Sequence, residues 1–477
     1  MKDKPQIDDK LIAAANELTK CFVLSDDKLR QLMEKLEQEF QLGLCNEESA
    51  TLKMLITYVR HLPNGKERGQ YLALDLGGTN FRVILINLNI ANAPMVSQKF
   101  VIPDELMAVD GERLFDFIAD CIIEFTNNHK LETIRIALGF TFSFPCVQYG
   151  LCQSKLVRWT KGFNCSGVVG KDVVKLLKNS LKKKTQFNNA FVDIVALIND
   201  TTGTLMSCAH KNPNCNIGLI VGTGTNACYI EQLDRIDKWP SNYSDPKTVV
   251  INTEWGAFGD NGVVDKLGVM TKWDKLVDAD TVNPGRQLYE KMVSGMYLGE
   301  LVRRLLITLC EQKLLFNGQT PENLLKKGSF PTKSVSKIDS DSESNKFQAT
   351  RRLFDRDFTK TYTETDLRII HMANNRVSKR AADLVAVGCS TLIEHMANQS
   401  NTIAYDGSVI KLHPHFHQWV SDGICKLIDK KKRFEMMLSE DGSGRGAAIV
   451  AAVSYREKRP RIIIRDRKVY EIGTYIH

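Results

Sequence analysis

The sequence lacks the marks of several protein classes. No apolar run reaches the ~18 residues of a membrane span. The first residues, MKDKPQIDDK, carry charges of both signs, unlike a secretory signal or a transit peptide. A cytoplasmic protein without membrane insertion is the default expectation. Its twelve cysteines include no CxxC pair, and Cys121, Cys228 and Cys310 fall in expected core strands or helices. Reduced structural thiols are therefore expected. His413, His415 and His417 have no Cys/His cluster of zinc-like spacing beside them, so no metal is assigned there. Neither a Walker A loop nor a GxGxxG fingerprint is present. The net charge of +8 is modest for 477 residues. Lys182–Lys184 and the tail Arg456–Arg467 hold much of the local excess, without the interleaved aromatics of a nucleic-acid surface. No nucleic-acid partner is expected.

What is present is a globular composition, 43% hydrophobic and 25% charged, with length for about two or three domains. The organising stretch is Leu72–Leu88, LALDLGGTNFRVILINL. Two β-like runs, Leu72–Leu76 and Phe81–Leu88, flank Gly77-Gly78-Thr79-Asn80. Such a turn can lay backbone N–H groups along a polyphosphate, and Asp75 just before it could hold Mg²⁺ through water. An ordinary glycine-rich hairpin is the alternative. The pattern returns at Ile217–Leu233, IGLIVGTGTNACYIEQL, which suggests two related lobes that each offer a hairpin to a shared cleft.

Residues 1–20 are polar enough to fray. Ser25 or Asp26 can cap a helix with Leu29, Leu32, Met33, Leu36 and Phe40 on one face. A second helix is expected at about Ala50–Val59. After the first hairpin come a β run at Gln98–Ile102, a helix at Gly111–Asn127 and an apolar strand at Ile134–Phe140. The order recurs loosely after Ile217, with a strand near Val249–Asn252, so parallel β/α layers with helices on both faces are expected. Lys337–Lys346 reads as a loop and Glu364–Asn398 as helical. Ile403–Leu412 reads as strand, turn, strand. Gly442–Gly446 opens an alanine-rich helix, Ala447–Val453, whose N-terminus suits an anion.

Between the hairpins, Ala196–Thr204 reads as an apolar strand ending in Asn199-Asp200 and entering a helix. Strand carboxyl ends are where α/β sheets place ligands. Asp200 there could be a general base toward a hydroxyl, or simply a helix N-cap. Thr141–Pro145, Trp159–Phe163, Asn252–Gly256 and Gln287–Glu290 add polar groups at loop tips. Together they suit a polyhydroxylated ligand, whose hydroxyls need acceptors and donors in alternation.

LALDLGGTNFRV, GFTFSFP, WTKGF, NDTTGT, GLIVGTGTNACY, NTEWGAFGDNG, NPGRQLYEKMVSGMYLGE, DGSVIKLHPHF and EDGSGRGAA together resemble the hexokinase family, in its order and spacing, over about residues 15–455. The resemblance implies an α/β, actin-like ATPase (ribonuclease H-like) fold with two lobes around a central cleft. Residues 15–68 would be the N-terminal helical part of the large lobe, 69–205 the small lobe with helix 444–455 returning to it, and 206–443 the large lobe. Residues 456–477 do not look like the family's ending. The implied activity is ATP-dependent phosphorylation of hexoses at the 6-hydroxyl, with ATP and Mg²⁺. Asp200 would be the base, and Lys161 would help stabilise the transferring group. Ser143, Thr160, Lys161, Asn199, Asp200, Asn226, Glu254, Gln287 and Glu290 would bind the hexose. Asp75, Leu76, Gly77, Gly78, Thr79, Asn80, Arg82 and Thr223 would meet the phosphates, with Asp75 toward Mg²⁺. Thr332, Ser336, Ser408, Leu412 and Gly442 would contact the nucleotide. Asp406, Gly407, Ser408 and Ser443 match positions that also hold a product phosphate. A monomer is expected, and the family's apolar mitochondrial anchor has no counterpart. Arg158 stands where many relatives have Asn. A non-catalytic sugar sensor on the same fold, or an actin- or chaperone-like ATPase, would share the hairpins.

Overall fold

The computed structural model describes residues 7–45, 50–77, 80–90, 94–131, 134–159, 162–184, 191–240, 244–342, 344, 346–458, 461–465 and 468–472. The described strands are β1 (Leu55–Ile56), β2 (Gln70–Leu76), β3 (Asn80–Asn87), β4 (Met95–Val101), β5 (Arg135–Phe142), β6 (Cys146–Gly150), β7 (Gln153–Leu156), β8 (Phe191–Ile198), β9 (Cys215–Val221), β10 (Thr225–Gln232), β11 (Thr248–Asn252), β12 (Ser400–Asp406), β13 (Arg433–Leu438), β14 (Arg461–Arg465) and β15 (Lys468–Ile472). The helices are α1 (Asp9–Thr19), α2 (Asp26–Cys45), α3 (Gly111–Asn128), α4 (Val173–Lys184), α5 (Asp200–Ala209), α6 (Val263–Lys266), α7 (Lys272–Ala279), α8 (Leu288–Val293), α9 (Leu298–Glu311), α10 (Glu322–Leu325), α11 (Thr332–Asp339), α12 (Gln348–Asp357), α13 (Glu364–His395), α14 (Ser408–Leu412), α15 (Phe416–Leu427) and α16 (Gly442–Lys458).

Two mixed sheets carry the molecule. One runs β4-β3-β2-β5-β8 and the other β1-β11-β10-β9-β12-β13. In the first, β3 is antiparallel to β2 and β4, while β2, β5 and β8 are parallel. The expected parallel layers therefore hold only for part of each sheet. Each tight hairpin forces one antiparallel pair, because two strands joined by a short turn must reverse direction. Helices α5 and α16 pack against each other, α16 also on β2, β5 and β8, and α5 also on β9 and β12. This helix pair joins the two sheets. Its close approach depends on glycine, since a Cβ at Gly446 would come within 2.0 Å of the Gly203 carbonyl oxygen.

Helix α2 starts where expected. The Lys28 amide donates to Ser25 Oγ at 3.2 Å, two aspartates fill the first turn, and Leu29, Leu32, Leu36 and Phe40 are buried. Of the expected polar stretch 1–20, residues 9–19 form helix α1. Asp8 accepts from the amides of Lys10 and Leu11, and Ala15 and Thr19 of α1 are buried.

Two expected elements are different. The segment Ala50–Val59 is not a helix but extended chain. Leu55 and Ile56 pair with Asn252 and Ile251, and Leu52 and Met54 enter the core. Thr57 donates to the Val250 carbonyl at 2.7 Å. Edge pairing outweighed the weak helical preference of this short stretch. After β12, the expected second strand is helix α14. Gly407 has φ 113°, and a Cβ there would lie 2.4 Å from the Val221 backbone, so the chain must turn away. The loop expected at Lys337–Lys346 begins inside α11, which ends at Asp339. Helix α16 starts at Gly442, so the glycine-rich stretch is its first turns. All twelve cysteines are free thiols. The histidine-rich stretch is tied to α11, with His413 Nε2 2.8 Å from Asp339 Oδ2 and His415 Nε2 2.9 Å from the Asp339 carbonyl oxygen. In the tail, Ile462–Ile464 lie in β14, paired with β15.

Candidate active site

Parallel register puts three strand ends side by side. Asp75 pairs with Thr141, and Thr141 pairs with Ile198. Asp75, Ser143 and Asn199-Asp200 therefore leave one edge of the sheet together, at its carboxyl ends. The Ser143 amide donates to the Leu76 carbonyl at 3.1 Å, which fixes that loop to β2. Asn199 is the N-cap of α5, its Oδ1 accepting from the Thr202 amide at 3.2 Å. Asp200 is the first helical residue, with Oδ1 accepting from the Thr201 amide at 2.8 Å. The capping job considered for Asp200 thus belongs to its neighbour.

On the second sheet, an amide–carboxylate network surrounds Glu254. Its Oε1 accepts from Asn252 Nδ2 at 2.8 Å and from Asn226 Nδ2 at 3.0 Å. Asn226 is itself oriented, because its Oδ1 accepts from the Ala227 amide at 2.8 Å. Burial is the main cause that raises the Glu254 pKa above the ordinary carboxylate value. The Asp200 charge adds to the rise, while the two amides and Arg158 oppose it. Glu254 and Asp200 thus feel each other's charge. Glu290 Oε2 accepts from the Thr225 amide at 3.0 Å, beside Gly224. Gln287 lies against Gly256, where a Cβ would come within 2.4 Å of Gln287 Oε1. Asp260 holds the start of α8, accepting from the amides of Gln287 and Leu288 at 3.0 Å each. Glu254 and Gln287 both hold left-handed backbones, φ 54° and 58°. Each such residue costs about 1–3 kcal/mol, a strain typical of binding sites.

A third group gathers charges around Asp75. Asp75 Oδ2 accepts from Arg82 Nη2 at 2.7 Å and from Ser443 Oγ at 2.8 Å. The same Arg82 nitrogen reaches Asp441 Oδ1 at 2.5 Å. Burial disfavours the Arg82 charge, yet the bonds to Asp441 and Asp75 outweigh it and raise its pKa. Ser443 is fixed from the other side, its carbonyl accepting from Thr141 Oγ1 at 3.0 Å. The Gly442 amide donates to Asp406 Oδ2 at 3.2 Å, and Lys411 Nζ lies 2.6 Å from Asp406 Oδ1. Gly77 faces open space, Leu76 is fully buried, and Asn80 begins β3 on the exposed surface.

The expected nucleotide residues meet around the second turn. The Gly295 amide donates to the Gly222 carbonyl at 2.8 Å, and the Met296 amide to the Thr223 carbonyl at 3.2 Å. Thr332 Oγ1 donates to the Gly295 carbonyl. Ser336 lies one turn along α11, on the same face. A Cβ at Gly222 would stand 3.3 Å from the Gly407 Cα and 3.4 Å from the Ser408 amide nitrogen. Leu412, at the end of α14, is 74% exposed, unusual for a large apolar side chain.

Gly78, Thr79, Thr160 and Lys161 lie outside the described residues. Around the last two, Trp159 stacks on Phe163 with centroids 5.5 Å apart and meets Phe144 at 5.1 Å, so these aromatics pack. Sequence reasoning missed Asn252 and Asp260 as supports. It also missed Asp441, whose only signal was an acid immediately before Gly442.

Two family models, each described as hexokinase, match residues 14–210 and 216–453. The hexokinase of Schistosoma mansoni is 42% identical over 454 residues, which cover 94% of this chain and 99% of that one. Hexokinase HKDC1 of Mus musculus is 42% identical over 92% of this chain but only 48% of its own length, so this chain spans about half of that longer relative. Among solved structures, the Schistosoma mansoni hexokinase complexed with glucose superposes with a TM-score of 0.83 at 41% identity, covering 93% of this chain and 99% of that one. A second hexokinase crystal structure gives 0.81 at 31% identity, covering 94% and 100%. These matches identify the two-sheet architecture as the actin-like ATPase fold.

Proposed function

Because this chain belongs to the hexokinase family, we propose that it transfers the terminal phosphoryl group of ATP to the 6-hydroxyl of a hexose, the opening step of glycolysis. The observation that carries this reading is the carboxylate of Glu254, held by two side-chain amides of the second sheet and within electrostatic reach of Asp200 at the start of α5. One carboxylate stands at a helix start at the carboxyl end of β8, and the other is held by two side-chain amides at one oxygen, which leaves it able to accept from a sugar hydroxyl. Glucose is the first substrate to try, with fructose and mannose sharing the relevant hydroxyls.

Ser143, Asn199, Asn226, Glu254, Gln287 and Glu290 bind and orient the hexose, with Thr160 and Lys161 completing the site. Asp200 takes the proton from the 6-hydroxyl as the new O–P bond forms. Phosphoryl transfer has a loose transition state, so positioning and charge stabilisation carry most of the acceleration. Lys161 and the hairpin amides at Gly77–Asn80 would stabilise the transferring group. The Asp75 carboxylate and the Ser443 hydroxyl, in contact at 2.8 Å, are hard oxygen donors of the kind that Mg²⁺ accepts, directly or through water. When bound, the ion neutralises charge on the terminal phosphates. Arg82 and Thr223 approach the phosphates from the two hairpins. Thr332, Ser336, Ser408, Leu412 and Gly442 line the nucleotide side, and Asp406–Ser408 with Ser443 would hold a product phosphate.

The lobe division that supports this chemistry is 69–205 with 444–455 on one side, and 15–68 with 206–443 on the other. Closure of the two excludes water, a competing acceptor for the phosphoryl group. A cytoplasmic monomer is the simplest setting. The test is ADP formation by the purified protein with Mg-ATP, with and without glucose, followed by identification of the sugar product. Glucose-dependent ADP together with glucose 6-phosphate supports the reading. ADP formation that ignores sugar, or glucose binding without turnover, overturns it.

A further inference from the structure

Asp441 has three properties that a simple helix start does not need. Its backbone is left-handed, φ 54°, in a residue other than glycine. N-cap residues ordinarily take extended dihedrals, and a strained residue persists only where its surroundings hold it there. Its side-chain Oδ1 is in a 2.5 Å ion pair with Arg82 Nη2, across from α16 to strand β3. That same nitrogen is 2.7 Å from Asp75 Oδ2, the carboxylate placed toward the metal and phosphates. One guanidinium nitrogen is thus shared between two carboxylates. The Asp441 carbonyl meanwhile accepts from the Arg445 amide at 3.0 Å, so the residue also fixes the first turn of α16. Ser443, in that turn, holds Asp75 Oδ2 at 2.8 Å.

The electrostatic consequence is a competition. A guanidinium that binds Asp75 alone would match it with two parallel hydrogen bonds and cancel its charge. A divalent cation would then have to displace it. Sharing the nitrogen with Asp441 keeps Arg82 beside Asp75 without letting it settle fully there. We propose that Asp441 is a positioning residue: by sharing the Arg82 nitrogen that bonds Asp75 Oδ2, it keeps Arg82 from pairing fully with Asp75, so that this carboxylate can still take a divalent cation carried by the nucleotide. This inference rests on the proposed kinase reading, which puts Mg²⁺ at Asp75.

The test uses the full-length protein and equilibrium binding of ADP by calorimetry, with and without Mg²⁺, for wild type, Asp441→Asn, Asp441→Glu, Arg82→Ala and the double variant Asp441→Asn/Arg82→Ala. Asp441→Asn keeps the shape and removes the charge. It is expected to weaken Mg·ADP about tenfold while metal-free ADP changes less than about twofold. Asp441→Glu, which restores the charge, should recover most of that loss. In the Arg82→Ala background the Asp441→Asn effect should vanish, because the competitor is gone. Equal loss with and without Mg²⁺ would mean only a damaged helix start and would overturn the proposal. A loss that persists without Arg82 would overturn it as well. Should Asp441→Asn not fold, a wild-type-like Mg²⁺ dependence in Asp441→Glu supports the charge as the requirement, and a loss there refutes it. Failure of the kinase reading is distinguishable, since it appears as absent hexose-dependent turnover in wild type. A wild type that binds no ADP at all overturns both.

Discussion

The two hairpins are alike in sequence and different in what holds them. In β2–β3 the strand before the turn carries Asp75, gripped by Arg82 and Ser443, with Asp441 behind. In β9–β10 the turn is held by backbone: Gly222 bonds Gly224 and Gly295, and Thr223 bonds Met296. Its polar side chain, Asn226, is spent on Glu254 and Asn252 rather than on an ion pair. A charge-held hairpin suits phosphates and a cation, whose own charges can replace or join its partners. The second hairpin carries no arginine, and its Thr225 amide and Asn226 side chain meet the carboxylates of Glu290 and Glu254, acceptors that suit the hydroxyls of a sugar. On the proposed reading, the residues just outside the repeated turn decide the ligand.

The strongest test of that division removes the group between the two halves. Asp200→Ala should lower kcat at least about a hundredfold while glucose affinity, read from Trp fluorescence, stays within about tenfold. Near-normal turnover would remove Asp200 from its role as base. Next, Asp75→Asn should lower kcat/KM for Mg-ATP about thirtyfold or more, with hexose affinity unchanged within about twofold. If both ligands weakened equally, the two hairpins would not divide the work.

Glu254→Gln should do the converse, with a smaller effect. Glu254 Oε1 already takes both amides, so the lost property is acceptance at Oε2 from a hydroxyl. Hexose KM should rise about tenfold and Mg-ATP binding should not change. The variant should also melt higher. Burial, and then Asp200, raise the folded pKa of Glu254 above its unfolded value. The folded state therefore binds this proton more tightly. Its contribution to stability is full below the unfolded carboxylate pKa and is lost as pH rises through the folded pKa. At neutral pH the ionised group is a net cost, which Gln removes, by about 1–3 °C in a thermal melt. In wild type, hexose KM should begin to rise with falling pH at a higher pH than an ordinary glutamate would give. A melt lower than wild type at pH 7 would refute the view that the ionised Glu254 is a net cost to the fold.

How much of this was legible follows from where the signal lies. The hairpins were readable because alternation and a glycine turn are local properties. The entry into α5 was readable because an apolar run meets Asn-Asp-Thr-Thr there, though the capping oxygen proved to be that of Asn199. Extended chain at 50–59 was not readable, since its reason is pairing with β11, nearly two hundred residues away in sequence. Helix α14 was hidden for a similar reason. Ser-Val-Ile looks β-like, but Gly407 packs on the Val221 backbone and forces the turn. The Asp441–Arg82 pair joins residues 359 apart. No spacing rule reports such a contact, and only the return of α16 to the first sheet creates it.

A third hairpin, β14–β15, sharpens the comparison by being unlike both. Its register, Arg461 with Ile472 through Arg465 with Lys468, closes on itself, and its two strands form a sheet of their own. A two-stranded hairpin by itself is marginal in water. It also follows α16, whose buried residues Ala447–Val453 already complete the layer between the sheets. Ending the chain after Lys458 should therefore leave kcat/KM for glucose within about twofold and the melting temperature within about 1 °C. A larger loss would mean that the tail braces α16. Because α16 carries Ser443 and follows Asp441, that loss should then fall on Mg-ATP before it falls on the hexose. The smallest expected effect thus becomes a second reading of the same division, since Ser443 of that helix bonds Asp75 of the charge-held hairpin directly.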